Sequence, residues 1–496
     1  MMAEFCGNPA VEAGEVLMPR KRKFDRSRIC VKCKINPGNL VIRHSVYCKG
    51  CFTPLIFTKF HQALEPYINH VSVGPRRGAL KPSGALLIGF SGGLGSSVLL
   101  DLVYQRYCAN VGSDNLKGGR EHPRKNKVWQ KIYVCYVEVS DIFPETSDRT
   151  AQIREAIARY DGFELIPVRI QDAFDRTWWE RVSGGAAPDL AGLPFDLGGG
   201  DSEPVAALQT HIRALPTPTA ILSTLSTLTR LLLLYTAYSV SASHIVLGTS
   251  LTSLSISLIS SISQGGGFVV PQAIQEEWFP QFVQRTIGDT SWNGEVRLVR
   301  PLRDVGMKEC TAWVWWHQLL VVGKQRIPVP KQTIGDLTKN FIIGLERDYP
   351  STVSTIAKTV GKLAPRGDSR VRCVLCELPT QQFVQRWKSR TSIRSFTDDA
   401  SSMDTATSSL PHYLCYSCHT TLTSKSARST ATLNLHSSNS APALNLPMWA
   451  ATRLALELGS EQSVGPGAPA NEIWETKKLD DGGMKSLVGE FLLENE

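Results

Sequence analysis

The chain lacks the features that would carry it into a secretory route or a bilayer. Its start, Met-Met-Ala-Glu-Phe-Cys, has no positive stretch followed by an apolar core, so no signal peptide is read there and a reducing, cytoplasmic location is expected. Its most apolar run, 231–240, falls short of the roughly 18 to 20 residues a membrane span needs. Arg230 and a Ser/Thr-rich stretch precede that run, which reads as a buried helix with no membrane partner. Acid is in short supply: 54 Lys and Arg face 45 Asp and Glu, a net charge of +9. That balance favours an acidic partner such as RNA, although it speaks to association and solubility and not to fold. Cysteine is missing from the whole interval between Glu138 and Gly248 in a chain that has twelve.

Where cysteine does occur, it comes in pairs. Eight stand at x2 spacing, as Cys30/Cys33, Cys48/Cys51, Cys373/Cys376 and Cys415/Cys418. Two thiolates two residues apart can share one tetrahedral zinc, so four such knuckles supply two four-cysteine structural sites. Fourteen residues separate the N-terminal pairs, close to zinc-ribbon spacing. Thirty-eight separate the C-terminal pairs, and the Ser/Thr/Asp-rich stretch 391–409 reads as an insertion between them. Disulfides are disfavoured without a secretory signal, and a thioredoxin-like pair is disfavoured because the N-terminal pairs lie outside any βαβ pattern. Spacing leaves open an arrangement in which one N-terminal pair joins one C-terminal pair. Cys6, Cys108, Cys135 and Cys310 are isolated. Cys135 in an apolar run and Cys310 in a Trp-rich helix read as small core residues.

Residues 85–90 form an apolar run that enters Ser91-Gly-Gly-Leu-Gly-Ser-Ser97, and Val98, Leu99, Leu102 and Val103 then follow helical spacing. A strand that ends in a glycine turn and restarts as a helix leaves backbone N–H groups unpaired, where an anion such as pyrophosphate can accept them. Ser91, Gly92, Gly93, Ser96 and Ser97 are the candidate nucleotide-binding residues. Tight α/β packing also produces such a turn, and the strand-before, helix-after context is what the binding reading requires.

Beyond residue 85, strands are expected at 85–90, 132–138, 164–169, 244–248 and 295–299. Helices are expected at 52–67, 97–107, 146–160, 219–241, 251–263 and 305–320. This alternation predicts an α/β fold, a doubly wound and mainly parallel sheet that binds ligands at the carboxyl ends of its strands. The organisation expected is a disordered basic tail (1–27), an N-terminal zinc ribbon with a linking helix (28–70), and an α/β domain (71–365) with surface insertions at 110–126 and 183–202. C-terminal zinc knuckles (366–420) follow, and then a low-complexity segment (421–496) with a short terminal helix near 484–493. Asp141 beyond a strand end, Asp304 beside Arg303, and the Trp313, Trp315 and Trp316 cluster read as a turn cap, an ion pair and core packing respectively.

The loop resembles the SGGxDS "PP-loop" of the N-type ATP pyrophosphatases, with Leu94 and Gly95 where that family has a lysine or small residue and then an aspartate. The wider set is Cys30-Val-Lys-Cys33, Tyr47-Cys-Lys-Gly-Cys51-Phe, Lys59-Phe-His-Gln-Ala-Leu64, Phe90-Ser-Gly-Gly-Leu-Gly-Ser-Ser97, Leu247-Gly-Thr-Ser-Leu-Thr252, Arg300-Pro-Leu-Arg-Asp304, Lys308-Glu309, Cys373-Val-Leu-Cys376 and Leu414-Cys-Tyr-Ser-Cys418. Together these resemble the cytoplasmic tRNA 2-thiolation protein 2 family over about residues 28–420.

The resemblance implies an adenine nucleotide alpha hydrolase-like fold and a heterodimer with cytoplasmic tRNA 2-thiolation protein 1, which holds the working site. It implies sulfur from a thiocarboxylated ubiquitin-related modifier, and as substrate the wobble uridine at position 34 of glutamine, glutamate and lysine tRNAs. Catalytic relatives adenylate the uridine carbonyl and then deliver sulfur, using charged loop residues for ATP and cysteines of the α/β domain. This chain has Leu94 and Gly95 in its loop and no cysteine between Glu138 and Gly248, so no catalytic residue is assigned and ATP binding is left open. Zinc at one or two structural sites is the expected cofactor. The competing readings are a self-sufficient ATP-dependent tRNA thiouridylase and a zinc-ribbon RNA-binding scaffold.

Overall fold

Apolar residues alternate along the central strands, and the alternation divides the interior into two cores. The computed structural model describes residues 29–68, 84–109, 128–129, 131–184, 203–273, 275–280, 295–325, 327–329, 331–360, 362, 371–380, 413–423 and 445–461. The basic tail, the insertion at 110–126, residues 185–202 of the insertion expected at 183–202, the 391–409 stretch and the terminal helix expected near 484–493 lie outside them. Strands β1 (Leu40–Ile42) and β2 (Ser45–Tyr47) form an antiparallel hairpin, and helix α1 (Lys49–Ile68) follows. The main body begins with β3 (Ala85–Gly89), α2 (Leu94–Tyr107), β4 (Ile132–Glu138), α3 (Thr150–Ile157) and β5 (Phe163–Arg169). It continues with α4 (Arg176–Ser183), α5 (Pro204–Ala214), α6 (Pro218–Ser239), β6 (Ala242–Leu247), α7 (Leu251–Ser263), β7 (Gln275–Trp278) and β8 (Val296–Val299). Helices α8 (Met307–His317), α9 (Ile334–Asp348) and α10 (Pro350–Val360) come next, and two further helices span Tyr416–Thr423 and Met448–Glu461.

Six strands form one sheet in the order β5-β4-β3-β6-β8-β7, parallel throughout except for β7 against β8. Successive side chains of a strand point to opposite faces. Leu86, Ile88, Val134 and Val246 therefore share one core with α1, α2, α3 and α8, while Leu87, Cys135 and Ile245 share the other with α4, α5 and α6. A smaller core joins α7, α9 and α10. The glycine loop after β3 sits where the winding of the sheet reverses, between β3 and β6.

Three differences from the sequence expectation have physical causes. The helix expected at 146–160 is confined to α3 because the buried Glu138 carboxylate gathers the N–H groups of Val139, Ser140 and Arg149, which fixes 139–149 as a turn. Helix α4 runs through Ser183 and ends at Gly184, whose φ of +77° suits a glycine cap. The C-terminal knuckles, read as an element of their own, lie in the core beneath α6, and Trp449 from the segment read as low-complexity stacks on Tyr235 there. Helix α6 is long and apolar enough to cross a membrane by length and composition. It packs on the sheet instead, with Leu228, Leu231, Leu232 and Leu234 buried.

Candidate metal centres and nucleotide loop

Each knuckle beginning at Cys30 or Cys373 is built in the same way. The residue four positions on, Lys34 or Glu377, donates its N–H to the first cysteine's carbonyl at 2.9 or 2.8 Å and adopts a φ of +57° or +55°. A β-bridge closes each turn, Ile29 with Pro37 and Arg372 with Pro379. Cys30, Cys33, Cys48 and Cys51 gather with their ligand atoms within 4.8 Å of one another, and so do Cys373, Cys376, Cys415 and Cys418. The sets therefore form within each terminal region and not across them. Sγ of Cys33 and Cys48 lie 3.8 Å apart, and those of Cys376 and Cys415 lie 3.7 Å apart. A single zinc with Zn–S bonds of about 2.3 Å needs a tetrahedral edge of about 3.8 Å, so both sets fit one metal ion. The N–H of Asn36 reaches Cys33 Sγ at 3.5 Å, and that of Cys418 reaches Cys415 Sγ at 3.4 Å, donors that suit thiolate charge. Such an ion would hold each knuckle folded and supply no reaction step.

The surroundings of the second set were not visible in the sequence. Glu377 is buried, and its carboxylate accepts from Tyr235 Oη and, at 2.6 Å, from Trp278 Nε1. Burial pushes its pKa up, against the pull of these donors and of Arg230 and Arg453. Arg230 pairs with Glu276 and donates to the Cys376 carbonyl, while Arg372 donates to that of Glu377 at 3.1 Å. Arg300, at the carboxyl end of β8, faces a cavity of about 350 Å³ beside Cys376, and its Nη1 has no hydrogen-bond partner among the described residues. Burial brings its pKa down to about 10, so it stays cationic at neutral pH. The one sequence signal was Arg230 itself, a cation inside a leucine-rich helix.

The loop retains its strand-to-helix form. Gly93 caps α2 without a side-chain partner, leaving the first helical N–H groups to an anion or water. Gly92 needs its φ of +71°, and a Cβ there would lie 2.8 Å from Ile153 Cδ1. The segment 319–323 crosses the loop: Gly323 N–H donates to the Gly92 carbonyl at 2.9 Å, and Arg149 Nη1 holds the Gly323 carbonyl at 2.8 Å. Ser96 and Ser97 turn their hydroxyls back on the Gly93 carbonyl at 2.8 and 3.2 Å, and Ser91 Oγ rests 3.4 Å from Ser96 Oγ. A Cβ on Gly95 would lie 2.1 Å from the carbonyl oxygen of Gly248, at the end of β6. The loop thus has no room at position 95 for an acidic side chain. It keeps a dipolar N-terminus and lacks the acidic side chain that would hold a metal beside a triphosphate.

Other singled-out residues prove structural. Burial pushes the Cys135 and Cys310 thiols up to about 12, which removes them as nucleophiles at neutral pH. Asp141 accepts from Arg169 at 2.5 Å and from Gln171. Arg303 and Asp304 are 3.9 Å apart. Lys59 meets Glu309 at 2.6 Å, so two of the recurring sequence motifs join α1 to α8. Trp313 is buried with its indole N–H on Asp101, Trp316 packs edge-on against Phe52, and Trp315 alone of the three stands open, 79% exposed.

A family model described as cytoplasmic tRNA 2-thiolation protein 2 matches residues 333–420, which include the C-terminal knuckles. The protein of that description from Phaeosphaeria nodorum is 26% identical over 369 residues, covering 71% of this chain and 85% of the relative. That from Danio rerio is 26% identical over 401 residues, covering 71% and 72%. The chain is thus similar, over 71% of its length, to proteins described as cytoplasmic tRNA 2-thiolation protein 2. Among solved structures, the U34-tRNA thiolase NcsA from Methanococcus maripaludis with its 4Fe-4S cluster is similar at 15% identity and a TM-score of 0.44, over 72% of this chain and 96% of that one.

Proposed function

We propose that this chain is the non-catalytic subunit of a cytoplasmic heterodimer that 2-thiolates the wobble uridine, position 34, of glutamine, glutamate and lysine tRNAs. Its partner, cytoplasmic tRNA 2-thiolation protein 1, carries the nucleotide and sulfur chemistry, and a thiocarboxylated ubiquitin-related modifier supplies the sulfur. Similarity to proteins described as cytoplasmic tRNA 2-thiolation protein 2 supports the thiolation role. The observation that carries the division of labour is Gly95 abutting the Gly248 carbonyl, where a Cβ would come within 2.1 Å. Activation of a carbonyl by adenylation needs charge to hold a metal-bound nucleotide in place, and this loop has neither the side chain nor the space for it. The stretch from Glu138 to Gly248 offers no thiol to relay sulfur. The two metal centres and the sheet supply a scaffold for tRNA and partner.

The test is pyrophosphate release and thiouridine formation by the purified, metal-loaded chain given ATP, tRNA and sulfur donor. Neither product is expected from the chain alone, and both are expected on adding the partner. Thiouridine made by the chain alone would overturn the proposal in favour of a self-sufficient thiouridylase.

A further inference from the structure

The N-terminal metal ribbon is free of acid. From Ile29 to Leu64 there is no Asp or Glu, while Lys32, Lys34, Arg43, Lys49 and Lys59 fall in the same interval. Lys59 is neutralised by Glu309 and Arg43 donates to Ser354 Oγ. Lys32, Lys34 and Lys49 are exposed, and no acidic side chain among the described residues pairs with them. Four thiolates around one dication would leave two negative charges, which the cations of residues 29–51 outnumber. Interleaved with the lysines, Ile29, Val31 and Ile35 are 54%, 55% and 80% exposed, apolar surface that no packing requirement of the ribbon explains.

We propose that this ribbon face binds the phosphate backbone of an RNA presenting unstacked bases, with Lys32, Lys34 and Lys49 as phosphate contacts and the isoleucine and valine side chains against bases or riboses. Single-stranded loops are the RNA form in which bases stand open to such contact. A protein partner fits less well, because protein interfaces are depleted in lysine and rich in aromatics and arginine, whereas three of the four exposed cations of the ribbon are lysine and the fourth, Arg43, is held on Ser354. The inference rests on the tRNA reading above and names its surface.

The experiment measures tRNA affinity of the full, metal-loaded chain and of its Lys32→Gln/Lys34→Gln/Lys49→Gln variant across a salt series, with metal content and melting as controls. Each lost phosphate contact to single-stranded RNA lowers the salt slope by about 0.7. The variant is expected to bind at least about tenfold more weakly, with a slope shallower by about 2, and with metal content unchanged. Unchanged affinity and slope against a wild type that binds would overturn this surface and leave the tRNA reading standing. A wild type that does not bind tRNA, alone or with the partner subunit, would overturn the tRNA reading and this inference with it. Loss of partner-subunit binding with tRNA affinity intact would reassign the face to a protein.

Discussion

Lys34 and Glu377 hold the same place in two knuckles of one design, each four residues after a first cysteine and each at a φ near +56°. Lys34 faces solvent, whereas Glu377 is buried against Tyr235 and Trp278. The fold uses one metal-binding turn for two purposes. At the N-terminus the turn presents charge outward, and its Cys33 and Cys51 are only half-buried. At the C-terminus all four cysteines are buried, and four guanidinium groups, Arg230, Arg300, Arg372 and Arg453, act on two carboxylates, Glu276 and Glu377. Four thiolates around a dication bring the two negative charges that this buried set otherwise lacks. A metal bound at the second site would therefore act as a counter-ion of the α/β core as well as a clasp for the knuckles.

The largest effect expected from this contrast is loss of the C-terminal centre. Structural zinc contributes on the order of 10 kcal/mol at neutral pH, against a typical domain stability of roughly 5–15 kcal/mol. Cys373→Ser with Cys376→Ser should leave the chain largely insoluble or cooperatively unfolded, read by soluble yield and circular dichroism. Cys30→Ser with Cys33→Ser should release one metal equivalent, by mass spectrometry, and shift the main melting transition little. Equal damage from the two pairs would erase the distinction between the regions. Next in size, Glu377→Gln leaves Glu276 as the one carboxylate of this set and turns an amide NH2 donor towards either the Tyr235 or the Trp278 donor. Breaking a buried charged set of this kind costs about 3–5 kcal/mol, to be read from denaturant midpoints.

Gly95→Asp extends the contrast to the loop, where shape and not charge alone is at issue. Forcing atoms into a packed contact costs about 1–3 kcal/mol, and the first atom added would meet the Gly248 carbonyl at 2.1 Å. The expected outcome is a less stable chain that gains no nucleotide affinity by calorimetry. Tight magnesium-dependent ATP binding by this variant would show that only the charge had been lost.

What could be read from the chain and what could not follows the range of the interactions. Strand β4 and helix α7 fall at their expected bounds, 132–138 and 251–263, because a continuous apolar run and the Ser250 cap are local signals. The edge strand β7 reads Gln-Glu-Glu-Trp, and nothing local says that Glu276 will be buried, since its partner Arg230 is 46 residues away. The cysteine pairs and the loop glycines were legible as residue types. Their grouping by terminus, and the closure of position 95 by Gly248, depend on which chain segments meet in space, and that information lies in pairings distant in sequence. The helix Met448–Glu461 was hidden by its Ser/Thr/Ala-rich surroundings, and Trp449 carries its docking.

The smallest expected effect is also the most direct comparison. Lys34→Gly and Glu377→Gly relieve the same left-handed backbone and add the same freedom to the unfolded chain, so these contributions cancel when one is subtracted from the other. At Lys34 little else is lost, and its stability should move by no more than about 0.5 kcal/mol in either direction. At Glu377 the buried carboxylate goes, together with its acceptors for Tyr235 and Trp278. The difference between the two variants therefore measures the side chain in its setting, free of the turn that holds it. A difference near zero, by parallel denaturant titrations of the metal-loaded proteins, would mean that the C-terminal arginines draw no stability from Glu377 and that Glu276 and the thiolate centre balance them.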